Sequence, residues 1–230
     1  MTMEELILKT QDFLKISDEQ KAQFVAYLNL IFEKNKVMNL TSITDMEEAI
    51  DKHLFDCLLP LKIIPQGVKE ILDVGSGAGF PGIVWAIAMP NAKLTLIDAT
   101  KKKCDFLNEV ATALNLKNVR ILNLRAEDYK QKEKYDLVTA RAVSSLPILL
   151  EITAPFCKVN GYVLTLKGKN GRNELEESLN ARKMLKLEVV TIQEEKLFDD
   201  DTRINILFKK KEKTAHRYPR AWGIIQKSPL

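Results

Sequence analysis

The chain has 230 residues, 46% of them hydrophobic, and this length fits one domain with a small appendage. It contains no run of about 18 uncharged apolar residues, and its acidic start, residues 1–5, does not resemble a signal peptide. We therefore expect a cytoplasmic protein without a membrane-spanning helix. The three cysteines, Cys57, Cys104 and Cys157, form no metal-binding pattern, so we expect reduced thiols and no metal site.

The net charge of +4 is unevenly distributed along the chain. Seven lysines and arginines lie between residues 209 and 227 against one acid, Glu212, whereas the rest of the chain is slightly acidic. A basic segment of this kind neutralises phosphates and makes binding salt-dependent. This charge is compatible with a nucleic-acid partner and also with a solvated segment that only aids solubility.

Residues 1–62 predict a helical segment. Ser17, with Gln20 three residues later, forms a capping-box start, and apolar residues then recur at helical spacing. A second helix is predicted to begin at Asp45, and Pro60 is expected to end it. We expect this segment to pack on the domain that follows.

Residues 63–210 alternate between strands and helices. Strands are predicted at residues 70–74, 93–97, 118–122, 135–139, 161–166, 186–192 and 203–209, and helices at 81–89, 101–115, 145–154 and 172–184. This alternation is typical of an α/β fold with a mostly parallel seven-stranded sheet and helices on both faces. No helix separates the last two strands, so the final strand is expected to be antiparallel. Residues 211–230 are assigned to a basic C-terminal tail.

A glycine-rich loop follows the first strand. Residues 73–82 read Asp-Val-Gly-Ser-Gly-Ala-Gly-Phe-Pro-Gly, and the second strand ends on an acid that can accept the ribose hydroxyls of a nucleoside. The order G-x-G-x-G differs from the G-x-G-x-x-G of dinucleotide sites. It resembles motif I of the class I (Rossmann-like) S-adenosylmethionine-dependent methyltransferases, with NAD(P) binding and a fold without cofactor as the alternatives. The predicted S-adenosylmethionine contacts are Gly75, Ser76, Gly77, Gly79, Phe80 and Asp98.

Further candidates follow the later strands, at the edge where parallel α/β sheets bind ligands. Ala126 and Glu127 follow the third strand, and Glu127 is a candidate for recognising the adenine amine rather than an ordinary loop carboxylate. Arg141 follows the fourth strand and Lys167 the fifth, and both are candidates for positioning a substrate. His53, on an amphipathic helix, is either structural or a third such candidate.

The chain lacks the residues that two kinds of methylation need. Methylation of the adenine amine usually goes with Asn/Asp-Pro-Pro-aromatic after the fourth strand, where this chain reads Thr139-Ala140-Arg141. Methylation of pyrimidine carbon 5 needs a cysteine nucleophile, and Cys157 is expected on a helix remote from that strand. Guanine N7 carries a free lone pair and loses no proton when methylated. The sequence therefore permits N7 methylation by positioning, without a covalent nucleophile.

Several groups of residues form a longer pattern: residues 38–41 with His53 and Asp56, residues 73–81, 125–127 and 139–142, and Tyr218-Pro219-Arg220 with residues 227–230. This pattern resembles the glucose-inhibited division protein B family, the 16S rRNA guanine-N7 methyltransferases called RsmG, over nearly the whole chain. The resemblance implies methylation of one guanosine in the 530 loop of bacterial 16S rRNA. It also implies cofactor contacts at Gly75, Phe80, Ala126, Glu127 and Arg141.

The chain departs from the pattern of this family at three places. Cys57 stands where the family usually has serine, residues 98–101 read Asp-Ala-Thr-Lys instead of Asp-Ser-Leu-x, and residues 221–225 differ from the usual Lys-x-Gly-Thr-Pro. The last departure bears on the conformation of the C-terminal tail and is expected to leave the cofactor pocket unaffected.

The resemblance gives the basic segment a partner, which is 16S rRNA, the small ribosomal subunit or its assembly intermediate. Tyr218 and Trp222 are expected to stack on exposed bases. Nothing in the sequence requires more than a monomer. A methyltransferase acting on a small molecule or protein, and a non-catalytic RNA-binding assembly factor, are the alternative functions. The predicted RNA contacts are Lys101, Lys102, Arg203, Arg217, Tyr218, Arg220, Trp222 and Lys227.

Overall fold

The computed structural model describes residues 1–141 and 144–230, and its centre is a seven-stranded sheet. The strands are β1 Glu70–Val74, β2 Lys93–Asp98, β3 Val119–Asn123, β4 Tyr135–Arg141, β5 Cys157–Gly168, β6 Leu187–Lys196 and β7 Thr202–Lys210. Their order is β3-β2-β1-β4-β5-β7-β6. The first five pair in parallel, and β7 is antiparallel to both β5 and β6, as the missing helix between the last two strands predicts.

The N-terminal segment contains the helices α1 (Met3–Thr10), α2 (Asp18–Asn35), α3 (Met46–Ala49) and α4 (Asp56–Leu58). Ser17 and Gln20 form the predicted capping box of α2, and the Asp45 side chain caps α3. A π-helical turn, Ile50–Phe55, joins α3 to α4. The α-helical part ends at Leu58, just before Pro60 as predicted, but the chain continues in a tighter helix. Pro60 opens a 3₁₀ helix, Leu59–Ile63, where its missing N–H costs no hydrogen bond.

Helices cover both faces of the sheet. They are α5 (Gly82–Ala88), α6 (Lys101–Ala113), α7 (Leu146–Thr153), α8 (Gly171–Glu177), α9 (Leu179–Leu185) and α10 (Trp222–Lys227). Neighbouring strand residues point to opposite faces, so Ile71 and Leu137 belong to one apolar cluster and Leu72 and Val138 to the other. Side chains of α2, α5 and α6 fill the first cluster, and those of α7 and α9 fill the second.

Two predicted elements differ from the structure. The helix predicted at 172–184 is divided into α8 and α9 at Ser178, whose hydroxyl donates a 2.7 Å hydrogen bond to the Leu175 carbonyl. Cys157 lies on β5 rather than on a helix, and it pairs with Tyr135 at the amino end of β4. Arg141 lies at the other end of that strand. Burial raises the pKa of the Cys157 thiol to about 12, so it is not a nucleophile for this site.

The C-terminal segment, residues 211–230, is not a free tail. Tyr218 and Ile225 are buried in the second apolar cluster, and Arg220 pairs with the buried Glu151 of α7. These contacts explain why a basic, polar stretch is ordered against the domain. No helix among the described residues is long and apolar enough to cross a membrane.

Candidate cofactor and substrate site

The glycine-rich loop leaves β1 and is held by both the sheet and the N-terminal segment. The amides of Gly75 and Ser76 donate to the Ile97 carbonyl at 2.8 and 3.1 Å. Gly79 has a φ of +109°, and a Cβ there would lie 2.6 Å from the hydroxyl of Tyr27. That hydroxyl donates a 2.8 Å bond to the Ala78 carbonyl. A side chain at residue 79 would therefore displace the helix that supports the loop.

Asp98, at the end of β2, holds the glycine loop and also binds the backbone just before α6. Its Oδ2 accepts the Gly77 amide at 2.9 Å, and its Oδ1 accepts the Thr100 amide at 2.8 Å. A carboxylate oxygen can accept two hydrogen bonds, so each oxygen keeps one lone pair. Asp98 is therefore fixed in position and can still accept two hydroxyl groups of a ligand.

A cavity of about 250 Å³ opens beside Asp98, and we call it the Asp98 cavity. Its walls are mostly apolar, and among the described residues that line it Asp98 and Glu127 are the acids and Arg125 is the cation. This composition suits a flat aromatic base attached to a polar sugar. The predicted residues Gly75, Ala126 and Glu127 all line it, and so does Trp222. The remaining lining residues are Val74, Ile97, Ala99, Leu124 and Ile152.

Asp73 lies buried beneath the glycine loop. Its Oδ2 accepts the Gly82 amide at 3.0 Å, whereas its Oδ1 has no hydrogen-bond partner within the described ranges 1–141 and 144–230. Burial raises the pKa of Asp73 to about 7. The sequence placed Asp73 in the glycine motif but gave it no role of its own. An unpartnered buried oxygen beneath the glycine-rich loop makes Asp73 a candidate contact for a cationic group.

A second cavity, of about 500 Å³, opens at the carboxyl ends of β4 and β5, and we call it the Asp56 cavity. Asp56 is nearly fully buried, and its two oxygens bind two different arginines. Oδ2 accepts Arg141 Nη1 at 2.9 Å, and Oδ1 accepts Arg203 Nε at 3.1 Å. One carboxylate from the N-terminal segment therefore fixes the end of β4 and the start of β7. Sequence reasoning placed Arg203 among the RNA contacts and assigned Asp56 no role.

His53 lines the Asp56 cavity and stacks on Phe80, with 4.3 Å between the ring centroids. The Arg141 guanidinium lies 5.0 Å from the same phenyl ring, so Phe80 contacts both predicted substrate residues. The Thr41 hydroxyl lies 2.8 Å from His53 Nε2. Burial, with the Arg141 charge in addition, lowers the pKa of His53 to about 4, so its ring is neutral near pH 7.

Lys167, at the end of β5, also lines the Asp56 cavity, but it is already paired. Its Nζ lies 2.7 Å from Glu174 Oε2 and donates a 2.9 Å bond to the Ser144 carbonyl. Glu174 also accepts the Leu146 amide, so it connects α8, α7 and β5. Lys167 is thus at the predicted place, with its charge balanced by a residue that the sequence did not indicate.

Four of the predicted RNA contacts lie on the surface. Lys101, Lys102, Arg217 and Lys227 are exposed, and Lys101 forms a 2.8 Å surface ion pair with Asp105. Exposed cations can reach phosphates without disturbing the fold. These four stay predictions.

The other predicted RNA contacts of the C-terminal segment lie where this segment packs against the domain. Tyr218 is only 2% exposed, so its ring does not face an RNA base. Arg220 binds both oxygens of Glu151, at 2.7 and 2.6 Å, and this pairing favours a structural role. Trp222 lines the Asp98 cavity, so the departure from the family pattern at residues 221–225 reaches a wall of that cavity. Sequence spacing did not show that this distant segment folds back.

The described residues include no cluster of three or more His, Cys, Asp or Glu side chains that could hold a metal ion. The polar groups at the carboxyl ends of the strands are instead amides, arginines and carboxylates of the two cavities. Such groups bind and orient organic ligands.

A family model described as rRNA small subunit methyltransferase G (GidB) matches residues 20–201. The chain is 40% identical over 223 residues to ribosomal RNA small subunit methyltransferase G of Clostridium botulinum (strain 657 / Type Ba4), a match covering 94% of this chain and 93% of that protein. It is 39% identical over 229 residues to the protein of the same name from Streptococcus pneumoniae serotype 19F (strain G54), covering 97% of each.

Solved structures share the fold at low sequence identity. TYW2 of M. jannaschii, in complex with AdoMet, has a TM-score of 0.57 and 15% identity over 74% of this chain and 79% of that chain. A SAM-dependent methyltransferase from Aquifex aeolicus has a TM-score of 0.53 and 20% identity over 71% of this chain and 94% of that chain. The predicted α/β fold of class I methyltransferases is thereby confirmed.

Proposed function

The chain belongs to the rRNA small subunit methyltransferase G family, and we propose that it methylates N7 of one guanosine in the 530 loop of 16S rRNA, using S-adenosylmethionine. The observation that carries this proposal is the pair of cavities at the ends of neighbouring strands. Gly75, after β1, lines the Asp98 cavity, and Arg141, at the end of β4, lines the Asp56 cavity. One cavity suits a nucleoside cofactor, and the other suits a nucleotide of the substrate.

The residues of the Asp98 cavity fit S-adenosylmethionine. Its apolar walls suit adenine, the two free lone pairs of Asp98 suit the ribose hydroxyls, and Glu127 suits the adenine amine. The unpartnered Oδ1 of Asp73 suits the ammonium of the methionine part. When bound, S-adenosylmethionine supplies an activated methyl group on a positively charged sulfur. Gly75, Ser76, Gly77, Gly79 and Phe80 would form the loop around it.

The Asp56 cavity suits a guanosine that reacts through its own lone pair. N7 gives up no proton, so the chain need not supply a general base, and His53, whose pKa burial lowers to about 4, is only a weak base. Arg141 and Arg203, fixed on Asp56, would hold the target nucleotide in line with the methyl group. Positioning of this kind can contribute about 7–11 kcal/mol to lowering the barrier. Lys167 would act from the far wall of the same cavity.

The basic surface supports a large RNA partner. Exposed Lys101, Lys102, Arg217 and Lys227 would contact phosphates of 16S rRNA, whether it is free, in the small subunit or in an assembly intermediate. The protein would act in the cytoplasm, where this substrate is made, and as a monomer. Membrane association is not part of this proposal.

The experiment that tests the proposal is methyl transfer from labelled S-adenosylmethionine to small-subunit RNA that lacks the modification. The product is cleaved with borohydride and aniline, which cut at 7-methylguanosine, and the cuts are mapped. We expect one cut in the 530 loop. Assays on free RNA and on assembled subunits, run in parallel, identify the substrate form.

Two other results would overturn the proposal at different points. Label incorporated into RNA without a cut would reject N7 as the acceptor. If neither RNA nor subunits were labelled although the cofactor bound, the substrate would be a small molecule or a protein, or the chain would be a non-catalytic assembly factor.

A further inference from the structure

One wall of the Asp98 cavity comes from the far end of the chain. The other lining residues lie within 74–152, at the ends of β1–β3 and on α7, whereas Trp222 is the first residue of α10. Its half-buried indole packs against the second apolar cluster, beside Leu124 and Ala126. The indole therefore meets the domain on one side and the cavity on another.

A buried ion pair fixes the chain just before Trp222. Glu151 is fully buried on α7, and Arg220 binds both of its oxygens through the guanidinium and one of them again through its own amide, at 3.0 Å. Leaving Glu151 unpaired would bury an uncompensated charge, so this contact strongly favours the packed position of the segment. Ile152, the next residue of α7, is itself in the cavity wall.

Further contacts hold the segment on both sides of Trp222. Lys132 Nζ donates to the carbonyls of His216 and Tyr218, at 2.8 and 2.6 Å. Ile225, one helical turn after Trp222, is fully buried. By contrast, Ile224 is 54% exposed, so α10 presents one face to the domain and another to solvent. These contacts therefore hold the indole in its position at the Asp98 cavity.

We propose that Trp222 is a cofactor-binding residue: its indole covers the adenosine part of an S-adenosyl ligand in the Asp98 cavity, and the ligand in turn stabilises the C-terminal segment. The proposal rests on the proposed function, since it takes that cavity as the cofactor site. An aromatic ring against a nucleobase gains from stacking and from the water it excludes. Glu127 and Trp222 line the cavity together, so polar and stacking recognition would act on the same base.

The proposal links the cofactor to the basic surface. If the ligand favours the packed segment, the packed segment favours the ligand by the same factor. The exposed cations Arg217 and Lys227 lie on either side of Trp222 in this segment. Cofactor binding would therefore hold in place two of the groups that are expected to meet RNA phosphates, before the RNA arrives.

The test is a titration with S-adenosylhomocysteine, followed by calorimetry and by tryptophan emission. The chain has two tryptophans, and Trp85 is fully buried away from the cavity, so a ligand-dependent emission change would report on Trp222. We expect Trp222→Ala to weaken binding by roughly 5- to 150-fold, the range for loss of one base–aromatic stack. Trp222→Phe should stay within a few-fold of the natural chain, and both variants should lose the emission change.

The matched control is Ile224→Ala, an exposed residue of the same helix, which should change nothing. If the natural chain did not bind S-adenosylhomocysteine, the proposed function itself would be overturned. If it bound with an unchanged affinity in Trp222→Ala, only the role of Trp222 would be overturned. Amide hydrogen exchange in residues 222–227 should slow when the ligand is added, and unchanged exchange would contradict the stabilisation of the segment.

Discussion

The two cavities of this protein are built in opposite ways. The Asp98 cavity is mostly apolar, and all of its residues except Ile152 and Trp222 lie within one stretch, 74–127. The Asp56 cavity is rich in charges, and its residues come from the N-terminal segment, β4, β5, α8 and the start of β7. A binding site for a common cofactor can be encoded in a local motif. The Asp56 cavity, the proposed site for the substrate, is instead assembled from distant parts of the chain.

The acids at the centre of the two cavities also differ in the kind of partner that they bind. Asp98 uses its oxygens on backbone amides of adjacent loops, whereas Asp56 uses its oxygens on the side chains of two arginines. Backbone contacts survive most substitutions, but side-chain pairs do not. We therefore expect substitutions in the Asp98 cavity to act by displacing the backbone of the glycine loop. Those in the Asp56 cavity should act by removing charge.

The largest effect is expected for Gly79→Ala, which tests the backbone side of this comparison. The added Cβ would lie 2.6 Å from Tyr27 Oη in a conformation that L residues rarely adopt, so the loop must move. We expect affinity for S-adenosylhomocysteine to fall roughly 1,000-fold, as measured by calorimetry. Gly168→Ala, where a Cβ meets nothing within 4 Å, is the control. A bound ligand with native affinity would show that the loop does not form the cofactor site.

Arg141→Ala tests the charge side of the comparison. Asp56 would keep Arg203 as its partner, so the fold should persist, but the guanidinium between Phe80 and Asp56 would be lost. We expect methyl transfer to rRNA to fall about 100-fold, as for a misplaced substrate. Arg172→Ala removes an exposed pair with Glu194 and should retain full activity. Native rates in Arg141→Ala would remove this residue from the site.

Arg220→Ala tests whether the packing of the C-terminal segment supports the Asp98 cavity. Glu151 would be left buried without its partner, although Arg220 itself is partly exposed. We expect the free energy of unfolding to fall by about 2 kcal/mol in urea titrations. Affinity for S-adenosylhomocysteine should fall with it, because Trp222 would lose its anchor. Lys227→Ala, an exposed cation of the same segment, should leave both quantities unchanged, and equal losses in the two variants would contradict the structural role of Arg220.

The smallest expected effect is the net change of the free energy of unfolding with pH, because Asp73 beneath the glycine loop and His53 in the Asp56 cavity shift it in opposite directions. The pKa of Asp73 is raised to about 7 by burial, so folding favours its protonated form and loses stability as pH rises from about 4 to 7. The pKa of His53 is lowered to about 4 by burial, so its contribution is lost as pH falls from 6.5 to 4. Each slope is at most about 1.4 kcal/mol per pH unit, and the two nearly cancel between pH 4 and 6.5.

Single variants should separate these slopes. Asp73→Asn should leave a stability that rises with pH over this interval, and His53→Gln one that falls, both measured by urea unfolding at pH 4.5, 5.5 and 6.5. Parallel profiles in the two variants would mean that neither group is held as described.

The sequence predicted what depends on neighbours in the chain. The glycine motif, Asp98 and the seven strands follow from local patterns, because turn geometry and side-chain alternation act over a few residues. Asp56 and Glu174 were missed as site residues because their contacts join separate helices and strands, and no spacing rule encodes such contacts. Ion pairs between distant elements become visible only when the elements are packed.

The C-terminal segment shows the opposite error. Its charge predicts an RNA-binding tail, but the same lysines and arginines alternate with Tyr218, Trp222 and Ile225, which are buried or half-buried. A count of charges includes the cations but overlooks these three apolar residues, which help to hold the segment against the domain. The exposed Arg217 and Lys227 remain consistent with the prediction, whereas Tyr218 and Arg220 have structural partners.

The position of Tyr27 on helix α2 has a consequence for folding during synthesis. Helix α2 leaves the ribosome before α5 and α6, whose side chains cover its apolar stripe of Phe24, Tyr27, Leu28 and Ile31. At a synthesis rate of about 5–20 residues per second, that stripe waits roughly four to sixteen seconds for its partners. During that interval the nascent chain exposes an apolar helix face. The length of this delay should therefore set how strongly the chain depends on chaperones during synthesis.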